Sequence, residues 1–173
     1  PVSTVQPCDV PRDSLLSRYQ AGAGFADCYV TEVPGAISQA AFIEAFYTSP
    51  LFKVERTILK YLVARPATDA DARQLAEGVA TGFSAWNVEG QSTSELLLSD
   101  YSGRTRSWLM ASPMGEPGRS SSTRLCFGSA VVPRQRAGAS NPDMGWRFRA
   151  LLGFHRLYSR MLLRAASKRV RPA

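Results

Sequence analysis

The chain reads as an α+β domain, and three observations predict it. The hydrophobic period is near 3.6 between residues 38 and 78, drops to 2 between residues 83 and 132, and returns to 3.6 at the C-terminal end. The strand-like runs in the middle are separated by turn chemistry, as in an antiparallel meander. The last segment, 146–167, is a single long amphipathic run that ends in basic residues. An antiparallel sheet must bury one face, and the terminal helix is the element available to cover it. The expected architecture is a curved antiparallel sheet covered by a long C-terminal helix, with two or three helices inserted after the first strand.

Each element has a local reason. Residues 1–20 hold three prolines and read as an extended N-terminal arm, with one helical turn at 13–19. The remainder, 21–173, reads as one domain. FADCYVTEV (25–33) is a strand, rich in aromatic and β-branched residues and closed by Pro34-Gly35. A helix begins near Ser38 with Ala41, Phe42, Ala45 and Phe46 on one side. A second has Ser49 as N-cap, Pro50 in the first turn, and the stripe Leu51, Val54, Ile58 and Leu62. Thr68-Asp69-Ala70-Asp71 is close to a capping box, and that helix stops at Gly78. FSAWNVEG, SELLLSDY, RTRSWLMAS and TRLCFGSAVV follow as four strands. A Ser102-Gly103 hairpin turn places Asp100 opposite Thr105, Leu98 opposite Ser107, and Leu96 opposite Leu109. The alternate face carries Glu95, Arg104 and Arg106 and is expected to need water, so Leu96, Leu98, Ser107, Leu109 and Ala111 are assigned inward. In the last helix, Phe148, Leu151, Leu152, His155, Tyr158, Leu162, Ala165 and Ala166 share a face. That puts His155, the single histidine of the chain, near the middle of the buried stripe.

Composition narrows the class. A chain of 173 residues, 45% hydrophobic and 20% charged, is long enough for one well-buried core. Its apolar runs fall short of the roughly 18 residues that cross a bilayer, so no integral membrane association is expected. Three dispersed cysteines, Cys8, Cys28 and Cys126, without a C-x-x-C, fit a reducing cytoplasm and small buried hydrophobes. Of the net +7, the segment from Pro133 onward holds ten basic residues and one acid, Asp143, so it carries +9 and the rest −2. The Arg stripe of the last helix reads first as a solvated face whose end complements the helix dipole. Its rival reading is a membrane-surface or nucleic-acid contact.

The segment GFHRLYSRMLLRAA, with SELLLSDYSGRTRSWLMAS upstream, is similar to an uncharacterised bacterial family grouped with the helix-grip superfamily of START lipid-transfer and polyketide cyclase-like (SRPBCC) proteins. The resemblance runs over 27–166, and the last helix is its specific part. It implies a helix-grip fold enclosing an apolar cavity. The family supplies no established catalytic residues to carry over.

Motifs for chemistry are scarce. One histidine excludes H-E-x-x-H, and the dispersed cysteines give no zinc spacing, so no metal and no cofactor are expected. Gly22-Ala23-Gly24-Phe25-Ala26-Asp27 fails as a dinucleotide fingerprint, because Asp27 stands at the third glycine and the motif precedes a strand. What remains is a polar set on apolar surfaces. His155 and Ser159 sit one helical turn apart, opposite Ser107 and Asp100 of the sheet, with Leu98 and Leu109 as apolar lining. Such a pocket suits a small hydrophobic partner, lipid-like or aromatic, held by its carbonyl or carboxylate. Two enzyme readings, a cyclase or an isomerase, use His155 or Asp100 for proton transfer. The plain alternatives are a packed His155 and an Asp100 that caps its turn.

No specific nucleic acid is expected as a partner. A gel shift with duplex DNA should show weak, sequence-independent binding that falls steeply between low and physiological salt, because counterion release drives such contacts. Tight, sequence-selective binding at physiological salt would instead promote the Arg stripe to a recognition surface.

Overall fold

The computed structural model describes residues 4–21, 25–53, 68–83, 86–100, 103, 105–115, 121–132 and 144–170, with side chains in the last stretch from 155 onward. Its core is a seven-stranded antiparallel curved sheet: β1 (Gln6–Cys8), β2 (Phe25–Pro34), β3 (Gly82–Phe83), β4 (Trp86–Gln91), β5 (Glu95–Asp100), β6 (Thr105–Met114) and β7 (Ser122–Val131), in the order β1-β2-β7-β6-β5-β4-β3. Among the described residues it is accompanied by the helices α1 (Gln39–Tyr47), α2 (Asp69–Ala76) and α3 (Met144–Arg169). Among the described residues no helix is long and apolar enough to cross a membrane.

The central register follows the expected alternation. Leu98 pairs with Ser107 and Leu96 with Leu109, while the Asp100 carboxylate accepts the Thr105 amide at 3.0 Å. Gly103 takes φ +70°, a left-handed turn conformation open to glycine at little cost. Two strands escape the periodicity argument. β1 is three residues long with Pro7 at its centre, tolerable because β1 lies at the sheet edge. The run FSAWNVEG holds parts of two strands, since Phe83 pairs with Trp86, and β3 at two residues is too short to show a period.

The inner face forms the main core. Tyr29 and Val33 of β2, Leu96 and Leu98 of β5, Leu109 and Ala111 of β6, and Leu125 and Phe127 of β7 meet Phe42, Ile43, Phe46 and Tyr47 of α1 and Leu162, Leu163 and Ala166 of α3. Aromatic edges knit the helical layer to the sheet, Phe46 with Phe127 at 4.8 Å and Tyr47 with Phe83 at 5.0 Å between ring centroids. Buried Gln39 fastens α1 to β6 through both ends of its amide, donating to the Leu109 carbonyl at 3.1 Å and accepting the Ala111 amide at 2.8 Å. The caps expected at Ser49 and Thr68 are present, and Ser38, where a helix was expected to begin, is a cap as well. Ser38 accepts the Ala41 amide, Thr68 and Asp71 close a capping box, and the Ser49 hydroxyl accepts the Phe52 amide. Residues 50–53 are helical; Val54, Ile58 and Leu62 of the expected second stripe lie outside the described residues, as do Tyr101 and Arg104.

Two expectations are corrected. The outer face is not left to water: Leu97 and Trp108 are fully buried there, in a second core with Val10, Leu16, Cys28, Cys126 and Ala130. The N-terminal arm, carrying a 3-10 helix at Leu15–Tyr19, covers this face and supplies partners for Glu95 and Arg106. Glu95 Oε1 accepts both the Leu15 amide at 2.8 Å and the Trp108 indole at 2.9 Å. Arg106 donates to the Tyr19 hydroxyl at 3.0 Å and pairs with Glu89, to which Tyr19 also donates. The second correction concerns α3: among its described side chains Leu162, Ala166 and Ser159 are buried as expected, together with Leu163 and Ser167, but Tyr158 and Ala165 are only partly buried. His155 is at the margin of this set, with its side chain 34% exposed. Phe148, Leu151 and Leu152 are outside the described side chains.

The cysteines are also not isolated. Cys8 and Cys28 are direct cross-strand partners, and Cys126 sits beside them on β7, all on the outer face. Cys28 and Cys126 are buried, as expected from their strand positions.

Gly128 of β7 is where arm and sheet come closest. A methyl group there would lie 2.4 Å from Leu16 Cδ2 and 3.0 Å from both the Asp27 carbonyl and the Trp108 ring. Gly128→Ala is expected to cost about 1–3 kcal/mol through overpacking and to raise amide exchange in the arm, read by urea melts and exchange mass spectrometry. An unchanged melt would mean that Leu16 is not held in this seat.

Candidate functional site

The strand register draws one polar line across the inner face. Asp27 of β2 is opposite Ser129 of β7, Ser129 opposite Ser107 of β6, and Ser107 opposite Leu98 of β5. One pair further along the sheet the same positions are Tyr29, Phe127, Leu109 and Leu96, all in the apolar core. The face therefore changes from dry to polar within one side-chain repeat. Tyr47 of α1 reaches this line, with its hydroxyl 3.5 Å from Ser107 Oγ.

From above, α3 lowers His155 and Ser159 toward the β2 end of the line. His155 Nε2 stands 3.6 Å from Asp27 Oδ1 and 3.5 Å from Ser159 Oγ. Both neighbours address the same ring nitrogen. A Ser-His-Asp relay needs them on opposite nitrogens, so this trio is not a nucleophile-activating triad. What it does create is an electrostatic demand. The Asp27 side chain is 14% exposed, yet both its carboxylate oxygens are buried and lack a hydrogen-bond partner among the described residues. Burying a carboxylate in that condition is costly unless a donor arrives. Burial, reinforced by the Asp27 charge, lifts the Tyr29 phenol above its ordinary pKa, with Arg160 and Arg156 opposing. Tyr29 is therefore a neutral phenol at physiological pH, with the Arg160 guanidinium over its ring at 5.4 Å.

The expected site residues divide. His155, Ser159 and Ser107 lie along this polar line or directly above it. Leu98 and Leu109 are fully buried members of the main core. Asp100 caps the β5–β6 hairpin, and the acid beside His155 is Asp27. Asp27, Ser129 and Tyr47 are site residues that sequence reasoning missed. The parity of β2 contains the missing signal: Tyr29 and Val33 point inward, so Asp27 must as well, and an acid on an inward position is the anomaly that marks the site.

The Arg stripe is partly absorbed by the fold. Arg160 covers Tyr29, and Arg169 donates to the Thr48 hydroxyl at 2.9 Å, tying the end of α3 to the end of α1. Between the exposed arginines, Leu157 and Met161 are 58% and 49% exposed. A cleft of about 350 Å³ beside them is lined by Thr4, Val5, Arg160, Arg164 and Lys168. Among the described residues no cluster of His, Cys, Asp and Glu is arranged to hold a metal ion. Against known proteins, no family model, curated protein or solved structure matches this chain.

The buried carboxylate without a hydrogen bond has a measurable signature. Asp27→Asn keeps the shape and removes the charge, and is expected to stabilise the ligand-free protein by about 1–3 kcal/mol, the scale of a buried unsatisfied polar group. A thermal or urea midpoint that falls would show that the Asp27 charge already has its partner.

Proposed function

We propose that the chain is a helix-grip-type binding domain for a small, mainly apolar molecule, lipid-like or aromatic, that carries one hydrogen-bond donor. The observation that supports this is the pair of buried Asp27 oxygens, without a hydrogen bond among the described residues and with His155 Nε2 3.6 Å from one of them, at the end of a polar line that borders an aromatic core. The apolar body of the ligand would lie toward Phe127, Phe46 and Tyr47, and its hydroxyl or amine toward Asp27, with His155, Ser159 and Ser107 within reach of further polar atoms. Sites for small molecules have this make-up, apolar walls with a few placed polar groups. A ligand carboxylate, the partner suggested by the histidine and hydroxyls alone, is disfavoured because it would stand beside Asp27. Binding ranks above a cyclase or isomerase because one acid/base candidate, Asp100, is engaged in its turn, and the other, His155, meets its neighbours through a single nitrogen.

Native mass spectrometry of the purified protein tests this, followed by titration with a medium-chain primary amine, the matching alcohol and the matching acid. The expected result is saturable binding of the amine or alcohol and at least about tenfold weaker binding of the acid, equivalent to about 1.4 kcal/mol. Asp27→Asn should remove that preference. Equal affinity for all three, or binding of none, would overturn the proposal.

A further inference from the structure

The outer face, remote from the polar line, brings together all three cysteines of the chain. Cys8 of β1 and Cys28 of β2 are paired residues of an antiparallel ladder, and their sulfurs lie 3.0 Å apart. Directly opposed residues of such a ladder stand about 4.5–5.5 Å apart at Cα. That falls inside the range of about 4.4–6.8 Å that a disulfide spans. Cys126 lies diagonally across from Cys28, since it faces Val30 on the same side of β2. The three differ in access: Cys8 is half-buried, and Cys28 and Cys126 are buried.

We propose that Cys8 and Cys28 are a reversible redox pair, oxidised by hydrogen peroxide to a disulfide that latches the N-terminal arm onto the sheet. The chemistry divides by exposure. Cys8 is the sulfur that a peroxide reaches, and Cys28 is the one positioned to resolve it. The Cys8 thiolate attacks one peroxide oxygen, the O–O bond breaks, and the departing hydroxide takes up a proton to leave as water. The resulting Cys8 sulfenic acid is attacked by the Cys28 sulfur; the S–S bond forms, the S–O bond breaks, and the hydroxide leaves with the Cys28 proton as a second water. Two thiols and one peroxide thus become one disulfide and two waters, and a dithiol reverses the step. The surroundings favour this assignment of roles. Hydrogen bonds from Cys126 and Cys28, together with the Arg124 charge, hold the Cys8 thiol well below its ordinary pKa against the opposing effect of burial. The same contacts with Cys126 and Cys8, plus burial, push the Cys28 thiol up. A lowered pKa at the more accessible thiol and a raised one at the buried thiol is the arrangement that suits an attacking and a resolving cysteine.

The mechanical consequence follows from what lies between the two cysteines. Residues 9–20 include Val10 and Leu16 of the second core, the Leu15 amide held by Glu95, and Tyr19 in its contact with Glu89 and Arg106. At its start this cover is fastened by β1, three residues with a central proline, which offers few ladder bonds. A covalent link at Cys8 closes the arm at that weak point.

The test uses the full chain with hydrogen peroxide near equimolar to protein. The expected product is lighter by two hydrogens, carries a Cys8–Cys28 cross-linked peptide, and returns to the thiol form with dithiothreitol. Cys126→Ser should keep the cross-link. Cys8→Ser, a mild change at a half-exposed position, should abolish it while the protein still melts cooperatively. Amide exchange across residues 5–19 should slow by roughly tenfold or more on oxidation, because the link restricts the open state of the arm. A Cys8 that goes to sulfinic acid without a disulfide, a cross-link between Cys28 and Cys126 instead, or a Cys8–Cys28 link that leaves arm exchange unchanged would each overturn the proposal.

Discussion

The structure depends on the seating of Leu16 against Gly128 and Trp108. A two-layer α+β domain ordinarily leaves one sheet face to solvent, and the alternation of polar and apolar residues then fixes which face is which. Here β5, β6 and β7 carry large apolar side chains on both faces: Leu96, Leu98, Leu109 and Phe127 inward, Leu97, Trp108 and Cys126 outward. Such strands need two covers. The helices supply one, and a 3-10 turn only five residues long supplies the centre of the other. It can do so because β7 has no side chain at 128, so Leu16 descends between Trp108 and the backbone of β2. Glu95 then makes the contact specific. One carboxylate oxygen accepts from the arm and from Trp108, so the buried indole and the first amide of the turn are satisfied by the same atom.

Double cover explains how this sheet carries an electrostatic anomaly. With both faces sealed, β2 is held by ladders to β1 and β7 and by packing above and below. A buried carboxylate without a hydrogen bond at Asp27 is tolerated because the surrounding strands fix its backbone whatever its side chain would prefer. Functional groups are generally kept in unfavourable settings this way, with the scaffold offsetting a local cost of a few kcal/mol. The cost is confined to one row. One side-chain pair away, Phe127 and Tyr29 restore a dense aromatic core.

Much of this was legible in the sequence, and what was missed has physical causes. The inward set Leu96, Leu98, Ser107, Leu109 and Ala111 follows from hairpin pairing and parity alone, and the packing agrees. The caps at Ser38, Ser49 and Thr68 are local chemistry, so they survive folding unchanged. The second core was not legible, because charges on a strand face look like solvation until a distant segment provides partners, as the arm does for Glu95 and Arg106. Glu95 finds Leu15 across 80 residues. Likewise the cysteines are dispersed in sequence and adjacent in space, since β1 pairs with β2 and β2 with a strand about a hundred residues away. His155 was placed too deep because the helical face was judged from hydrophobicity. Among the described side chains of α3 the buried ones include the small residues Ser159, Ala166 and Ser167, which let the helix approach the sheet.

Consecutive positions on β2 join the two chemistries. Asp27 points to the polar line on the inner face, and Cys28 points to the thiol cluster on the outer face. Adjacent residues of a strand share one peptide plane, so the backbone cannot shift at one without moving the other. A ligand donor at Asp27 and a link at Cys28 would each restrict this segment of β2, from opposite sides. Restricting the same segment twice costs less than the sum of the two separate restrictions, which makes such events mutually reinforcing even when neither changes the mean structure. The coupling needs no relay of side chains across the core. It needs one strand covered on both faces, and the arm seated at Gly128 is what makes β2 such a strand.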